Sequence, residues 1–358
     1  MEESQKKFLN VLNLAFSSNL EAVIKILSFA PMPEEALKLG ENALKKLGLR
    51  QETILNFFKK RNEINIEKEW QNLKKENIKL ITKDEQEYPC LLKEIAKPPE
   101  ALYVKGALSQ DASYLACVGS RFPSDYGKMV TPDLTGDLAN AGFTIVSGMA
   151  KGIDTLSHKA ALKRGKTTVA ITGTGLDIIF PPENKNLAKE IEKNGVLISE
   201  FPLKTPPLAY NFPARNRIIA GMSLGTLVIE AKKKSGALIT ANIAAEEGRE
   251  VFAVPGPILS KTSEGPNNLL KQGAYVITNA NDILSVFNLE KAVQAEKEIK
   301  GDTKEENLII KSLKNQPMSI DEIAKETKIE VSKISSSLIL MEINGKLKKI
   351  GEKYKIEY

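Results

Sequence analysis

Apolar residues recur at three-to-four spacing through FLNVLNLAF, LEAVIKILSF, EEALKLGENALKKLG and QETILNFFKKRNEI, so the chain opens on a predicted helical bundle over residues 1–78. Pro31 and Pro33 separate the second helix from the third, and Gly40 and Gly48 mark helix ends. The pattern then changes. IKLIT, YPCLLKEI and KPPEALYVKG read as a connector that contributes a strand, ALYVKG, near the main sheet. Beyond it the apolar runs YLACVG, FTIVSG, TTVAITG, GVLISE, TLVIEA and EVFAVPG alternate with helix-like stretches. Continuous β-rich runs separated by helices predict a parallel sheet covered on both faces. The expected fold class is α/β, a Rossmann-like doubly wound, mostly parallel sheet, with an N-terminal helical domain and a C-terminal winged-helix domain. The core domain with its connector spans residues 79–287. A charged linker is expected over 288–305. Residues 306–358 carry three helical signals and a terminal alternating stretch, KLKKIGEKYKIEY, that suits a two-stranded wing.

Composition narrows the class without choosing a function. The 358 residues are 42% hydrophobic and 27% charged, the profile of a folded multi-domain chain. Lys and Arg exceed Asp and Glu by 51 − 45 = 6, which permits nucleic-acid binding and equally suits plain solubility. Only Cys90 and Cys117 are present, so neither a disulfide framework nor a metal site is expected. No apolar run reaches membrane-spanning length and the first residues are charged, which gives a cytoplasmic expectation with no membrane partner.

The chemistry is concentrated in glycine-punctuated turns that follow the strands. After the first central strand, Gly119 allows a tight turn, Ser120 offers a hydroxyl and Arg121 a two-pronged donor for phosphate. In SGMAKGID, Gly148 and Gly152 free the backbone and Lys151 adds charge, while Asp154 is expected to cap the next helix. The third turn carries Gly173 and Gly175, with Asn184 and Lys185 beyond it. In YNFPARNRIIAG, the string Asn211, Phe212, Arg215, Asn216 and Arg217 opens a helix whose amides and guanidinium groups can converge on one anion. The same arginines can instead pair with Glu200 and Glu230 and lock the sheet rim. Tyr210 and Phe212 offer stacking faces, or simply pack. Ser235 and Gly236, after three lysines, add a further amide-rich turn. Taken together these turns predict a track for several phosphates. The lone histidine, His158, is expected to pack or bond locally, and the GKT triplet at Gly165 lies in the wrong order of elements for a P-loop. GTGLDI lacks the third glycine of a dinucleotide fingerprint, so no cofactor is expected.

Read in order, VGSR, VSGMAKGIDTLSH, GTGLD, FPARNRIIAG, EAKKKSGALITA and VFAVPG resemble the DprA (Smf) family of DNA processing proteins, over roughly residues 80–287. The resemblance implies a non-catalytic single-stranded DNA binder that protects incoming strands in natural transformation, loads the RecA recombinase and forms a homodimer. It places the dimer surface about Asn242 to Glu247, including Ala245, and about Asn267 to Val276, including Leu270. Relatives often carry lysine where this chain has Pro182, so the charge of the third loop is expected from Lys185 or Lys204. A second reading is a Rossmann enzyme resembling phosphoribohydrolases, with Glu230 as the acting carboxylate. The helical front suits either a helix-hairpin-helix module touching DNA backbone or a packing domain. The winged tail lacks arginine on its third helix and reads as a poor base reader.

Overall fold

Six of the strand-like runs, together with ALYVKG, IKLIT and a short run at residue 275, join in one sheet. A computed structural model describes residues 1–16, 19–109, 112–289, 301–313 and 316–356. Its strands are β1 (Lys79–Thr82), β2 (Ala101–Gly106), β3 (Ser113–Val118), β4 (Phe143–Ser147), β5 (Thr168–Ile171), β6 (Val196–Ser199), β7 (Gly225–Val228), β8 (Glu250–Ala253) and β9 (Tyr275–Val276). Their spatial order is β1-β2-β6-β5-β4-β3-β7-β8-β9. From β6 through β9 all neighbours are parallel, whereas β2 runs antiparallel to β6 and β1 antiparallel to β2. Within the parallel part the path begins at β3, winds outward through β4, β5 and β6, then returns to lay β7 on the other side of β3. That reversal makes the carboxyl ends of β3 and β7 a topological switch point, where the flanking loops diverge and leave a crevice.

Helices α1 (Glu3–Ala15), α2 (Leu20–Phe29), α3 (Pro33–Lys38), α4 (Glu41–Lys46), α5 (Gln51–Glu63) and α6 (Ile66–Lys75) form the front bundle. Asn19 and Asn65 cap α2 and α6 through their side chains, and Pro33 sits in the first turn of α3, where its missing N–H is harmless. The connector adds α7 (Cys90–Lys93). Helices α8 (Asp125–Asn140), α9 (Ile153–Lys163), α10 (Lys185–Asn194), α11 (Asn211–Gly221), α12 (Gly236–Glu246), α13 (Glu264–Lys271) and α14 (Ala280–Val286) accompany the sheet.

Alternation along the strands divides the core in two. Tyr103, Ala170 and Leu197 join the front bundle and α10 on one face, with Leu12, Ile26, Phe57 and Ile191. Leu102, Val104, Val169, Ile171, Val196 and Ile198 meet α7, α11 and α12 on the other. The front bundle therefore shares a core with the sheet, and residues 1–288 form one compact unit. Tyr103 is the polar pin of this contact. Its hydroxyl donates to Asn10 Oδ1 at 2.8 Å and accepts from Asn13 Nδ2 at 3.2 Å, all three residues being buried.

Residues 289–358 form the second unit. Of the expected linker, residues 290–300 lie outside the described residues, and its last residues already belong to helix α15 (Lys304–Leu313). Then come α16 (Ile320–Thr327), opened by a Ser319–Glu322 capping box, α17 (Val331–Ile343), and the antiparallel pair β10 (Leu347–Ile350) and β11 (Lys353–Ile356). Its own core gathers Ile309, Leu313, Ile323, Ile334, Leu338 and Tyr354. This is a winged helix. Among the described residues no helix is long and apolar enough to cross a membrane.

Replacing Tyr103 by Phe strands the Asn10 and Asn13 amides against the sheet. The expected loss is about 1–3 kcal/mol of unfolding free energy, because buried amides keep their desolvation cost without the hydroxyl. Urea denaturation of parent and variant, followed by circular dichroism, measures it; identical midpoints would show that the pin carries no stability.

Candidate nucleic-acid interface

At the switch point lies a cleft of about 670 Å³. Five segments build it: the turn after β3 (Gly119 to Phe122), the floor at the start of α9 (Ala150 just before it and Asp154 in its first turn), Phe180 beyond β5, the start of α11 (Phe212, Pro213, Arg215, Asn216), and the turn into α12 (Lys232, Lys234, Ser235, Gly236). The Ser235 hydroxyl caps α12 by accepting from the Ala237 amide, and Gly236 is exposed at the first helical position. Helix α11 opens nearby, so two helix amino ends face the same space.

The cations divide into two kinds. Arg121 is exposed and, among the described residues, has no ion-pair partner; Lys232 and Lys234 are exposed on the opposite lip. Arg215, by contrast, is 4% exposed and forms the floor. Its Nη1 donates to the Gly148 carbonyl at 2.6 Å and to the Ile171 carbonyl, and Nε donates to Asn216 Oδ1 at 3.3 Å. Asn216 in turn donates to the Gly236 carbonyl at 3.3 Å, tying α11 to the start of α12. Asp154 does not cap α9 but folds back, its Oδ2 accepting from the amides of Gly148 and Ala150, both at 3.2 Å. Burial drives both charged groups toward neutrality, Arg215 down to about 10 and Asp154 upward, and the attraction between them opposes each shift. At neutral pH the floor is a held cation, and Asp154 is the only acid lining the cleft among the described residues.

Three of the aromatic groups, Phe122, Tyr210 and Phe180, are exposed, and Phe212 is half-buried. Phe122 is 78% exposed beside Arg121, and Tyr210 is 64% exposed just before α11. Phe180 lies 5.5 Å from Phe212, ring centre to ring centre, on the far lip.

A family model described as DNA recombination-mediator protein A matches residues 79–288. The chain belongs to that family. A second model, the DprA winged helix domain, matches residues 293–350. Protein Smf of Escherichia coli (strain K12) is 49% identical over 214 residues, covering 59% of this chain; the chain spans only 57% of that protein's length. DNA processing protein A of Streptococcus pneumoniae superposes with a TM-score of 0.66 at 35% identity, over 78% of this chain and 97% of that one. DNA processing protein A of Helicobacter pylori, whose structure was described for its single-stranded DNA binding mode, gives 0.53 at 29% identity, over 60% and 97%.

Against this DprA-type frame, half of the expected track is in the cleft: Gly119, Ser120, Arg121, Phe212, Arg215, Asn216, Ser235 and Gly236 line it. The others do not. Gly148 is buried, because a Cβ there would lie 2.7 Å from both Arg215 Nη2 and Asp154 Oδ2. Gly152, at φ 79°, lets the chain pass under the first turn; a Cβ would sit 2.2 Å from the Ser120 carbonyl. Gly173 lies against the Phe212 ring and Gly175 against Pro202, both buried. Asn211 is buried and donates to the Gly173 carbonyl at 3.1 Å. Arg217 points away from the cleft to Glu200 at 2.5 Å, the structural alternative for that residue. Lys151 pairs with Glu183 at 2.5 Å, Lys204 pairs with Glu69 at 2.9 Å, and Lys185 is exposed on α10 without lining the cleft. Even Ser120 serves its own loop, accepting from the Phe122 amide at 3.1 Å.

Lys232, Lys234, Phe122 and Phe180 were missed by sequence reasoning. Their signals were present, an RF pair after VGS and a KKK run before SGA, but a lysine run reads equally as a solvated face.

His158 lies behind the floor, fully buried. Thr168 Oγ1 donates to the Ile145 carbonyl at 2.7 Å, so the 2.8 Å contact requires His158 Nδ1 to be the donor, and Nε2 stays without a partner. Burial, aided by the Arg215 charge, lowers its pKa to about 3. The unfolded chain takes up this proton below about pH 6.5 and the native one does not, so stability falls with pH there and is level above it. The expected contribution is about 2 kcal/mol lost between pH 6.5 and 5. Denaturant midpoints across that range, compared with His158→Gln, should show the variant's slope flatter; parallel slopes would remove the assignment.

Proposed function

We propose that the chain is a single-stranded DNA-binding protein that grips phosphates in the switch-point cleft, protects incoming strands and hands them to RecA in natural transformation. One observation carries the reading: Arg121, Lys232 and Lys234 stand exposed around a cleft in which the only acid among the described residues, Asp154, is engaged by amides and faces Arg215. A single-stranded polynucleotide is the ligand that suits cations and helix amino ends, through its phosphates, and exposed rings, through its bases. Guanidinium and ammonium groups neutralise backbone charge, and Phe122, Tyr210 and Phe180 offer faces to unpaired bases. The family membership and the single-stranded DNA binding stated for the H. pylori relative support the same reading.

A homodimer belongs to this proposal. Asn242 and Ala245 are exposed on α12, and Tyr275 and Val276 are exposed on the edge strand β9. Leu270 is half-buried beside them in sequence, whereas the Asn267 amide is committed to both backbone groups of Gly256. We place the activity in the cytoplasm, where the free thiols Cys90 and Cys117 stay reduced.

The phosphoribohydrolase reading loses its carboxylate. Glu230 is 1% exposed and accepts from the Ser124 amide and hydroxyl and from the Thr262 hydroxyl, within 2.5–2.8 Å. It fastens three loops together instead of facing a substrate.

Arg121→Ala should weaken binding to unrelated single strands alike and reduce the slope of log affinity against log salt by roughly one. Lys185→Ala, outside the cleft, should leave the slope as it is. Fluorescence anisotropy with labelled oligonucleotides over a salt series reads both; an unchanged slope for Arg121→Ala would defeat the phosphate assignment.

A further inference from the structure

The winged unit turns an apolar stripe to solvent where a nucleic-acid reader carries polar and charged groups. On α17, Ile334, Leu338 and Met341 are buried in the unit's own core. Successive positions lie about 100° apart, so Ser332, Ser336, Ile339 and Ile343 fall on the opposite side of the helix. Ile339 is 55% exposed and Ile343 76%, and both serines are exposed. Lys333 is the only cation in α17 and Glu342 the only acid, and both lie off the stripe. Aliphatic groups kept together in water mark a face that contacts protein.

Spacing says what covers it. The four positions are separated by four, three and four residues, the repeat along which one helix packs lengthwise on another. A parallel copy in register would set serine on serine and isoleucine on isoleucine, leaving a gap at one end of the seam and crowding at the other. An antiparallel copy, related by a two-fold axis between Ser336 and Ile339, sets Ser332 against Ile343 and Ser336 against Ile339, small against large in every layer. Leu340, 55% exposed, leans toward the flank that carries Lys333 and Ser337. On that flank a groove of about 350 Å³ is lined by Ser332, Lys333, Ser336 and Ser337, with Thr303 and Glu305 at the start of α15. The same two-fold axis brings the second copy's Leu340 over this groove, so one helix carries both the plug and the hole. It also keeps the two Lys333 side chains, and the two Glu342 side chains, about 13.5 Å apart along the axis, so like charges are not set against each other.

We propose that the outer face of α17 is a self-association site, on which the same helix of a second copy lies antiparallel with Leu340 of each copy seated in the groove of the other. The contact uses none of the residues of the single-strand cleft and none of those on α12 and β9, so it stands apart from the reading of the cleft.

The test uses the full chain with the exposed Cys90 changed to serine, since Cys117 is buried and does not compete for a thiol reagent. Ser332→Cys and Ile343→Cys are made separately in that background, with tags of different size. The antiparallel seam puts these two positions at one level, whereas each lies about 16.5 Å along the axis from its own copy. A concentrated mixture of the two proteins treated with a short bismaleimide should therefore give the mixed crosslink and little of either like pair. Lys325→Cys, exposed on α16 and outside the seam, sets the background from random collision. Adding Leu340→Glu to both proteins should lower the mixed crosslink roughly tenfold. Leu340→Gln, which adds no charge, should do the same, and circular dichroism confirms that both variants fold. A mixed crosslink no stronger than the background overturns the proposal. So does a yield that the Leu340 variants leave unchanged, or crosslinks formed only between like positions, which would mean a parallel pair.

Discussion

A buried guanidinium organises the carboxyl edge of this sheet. Arg215 reaches from α11 to the carbonyls of Gly148 and Ile171, so it staples the exits of β4 and β5 to the helix that follows β6. Such a group is costly to bury unless its donors are satisfied, and removing a partner of a buried charge typically costs about 3–5 kcal/mol. The surroundings are shaped to avoid that cost. Gly148 leaves room for it, Asp154 opposes its charge, and Asn216 relays the contact to α12. The lips of the cleft hang from this fixed floor.

The cations of the region therefore do different work. Arg217 answers the buried Glu200, Lys204 answers the half-buried Glu69, and Lys151 answers Glu183 on the surface. Exposed pairs of the last kind are worth at most about 1 kcal/mol. Arg121, Lys232 and Lys234 answer no carboxylate among the described residues and border one crevice. Glu230 joins the start of α8 to the loop near Thr262, so the lip that bears Arg121 is braced by hydrogen bonds and not by neighbouring charges.

The fold was legible because parallel strands are buried on both faces and read as unbroken apolar runs, as YLACVG and TTVAITG do. The winged unit was legible from its three helical signals and terminal alternation. The site was only half legible. Sequence spacing places a glycine at the end of a strand, but whether its amide meets solvent or a neighbouring loop depends on contacts far along the chain, as at Gly152 under Ser120. The arginines of PARNR point in different directions for the same reason: successive helical positions lie about 100° apart, so Arg215 faces the cleft while Arg217 meets Glu200. The lysine run before Ser235 was passed over because nothing local distinguishes a ligand-facing lysine from a solvated one.

The shared core of the front helices and the sheet makes the amino-terminal region a lid that has become a wall. Cutting it away would bare Leu80, Tyr103 and Leu197 as a greasy patch on a sheet that already ends in the short open edge β9. An isolated central region would then be sticky as well as less stable, and its clumping on nucleic acid would imitate cooperative binding.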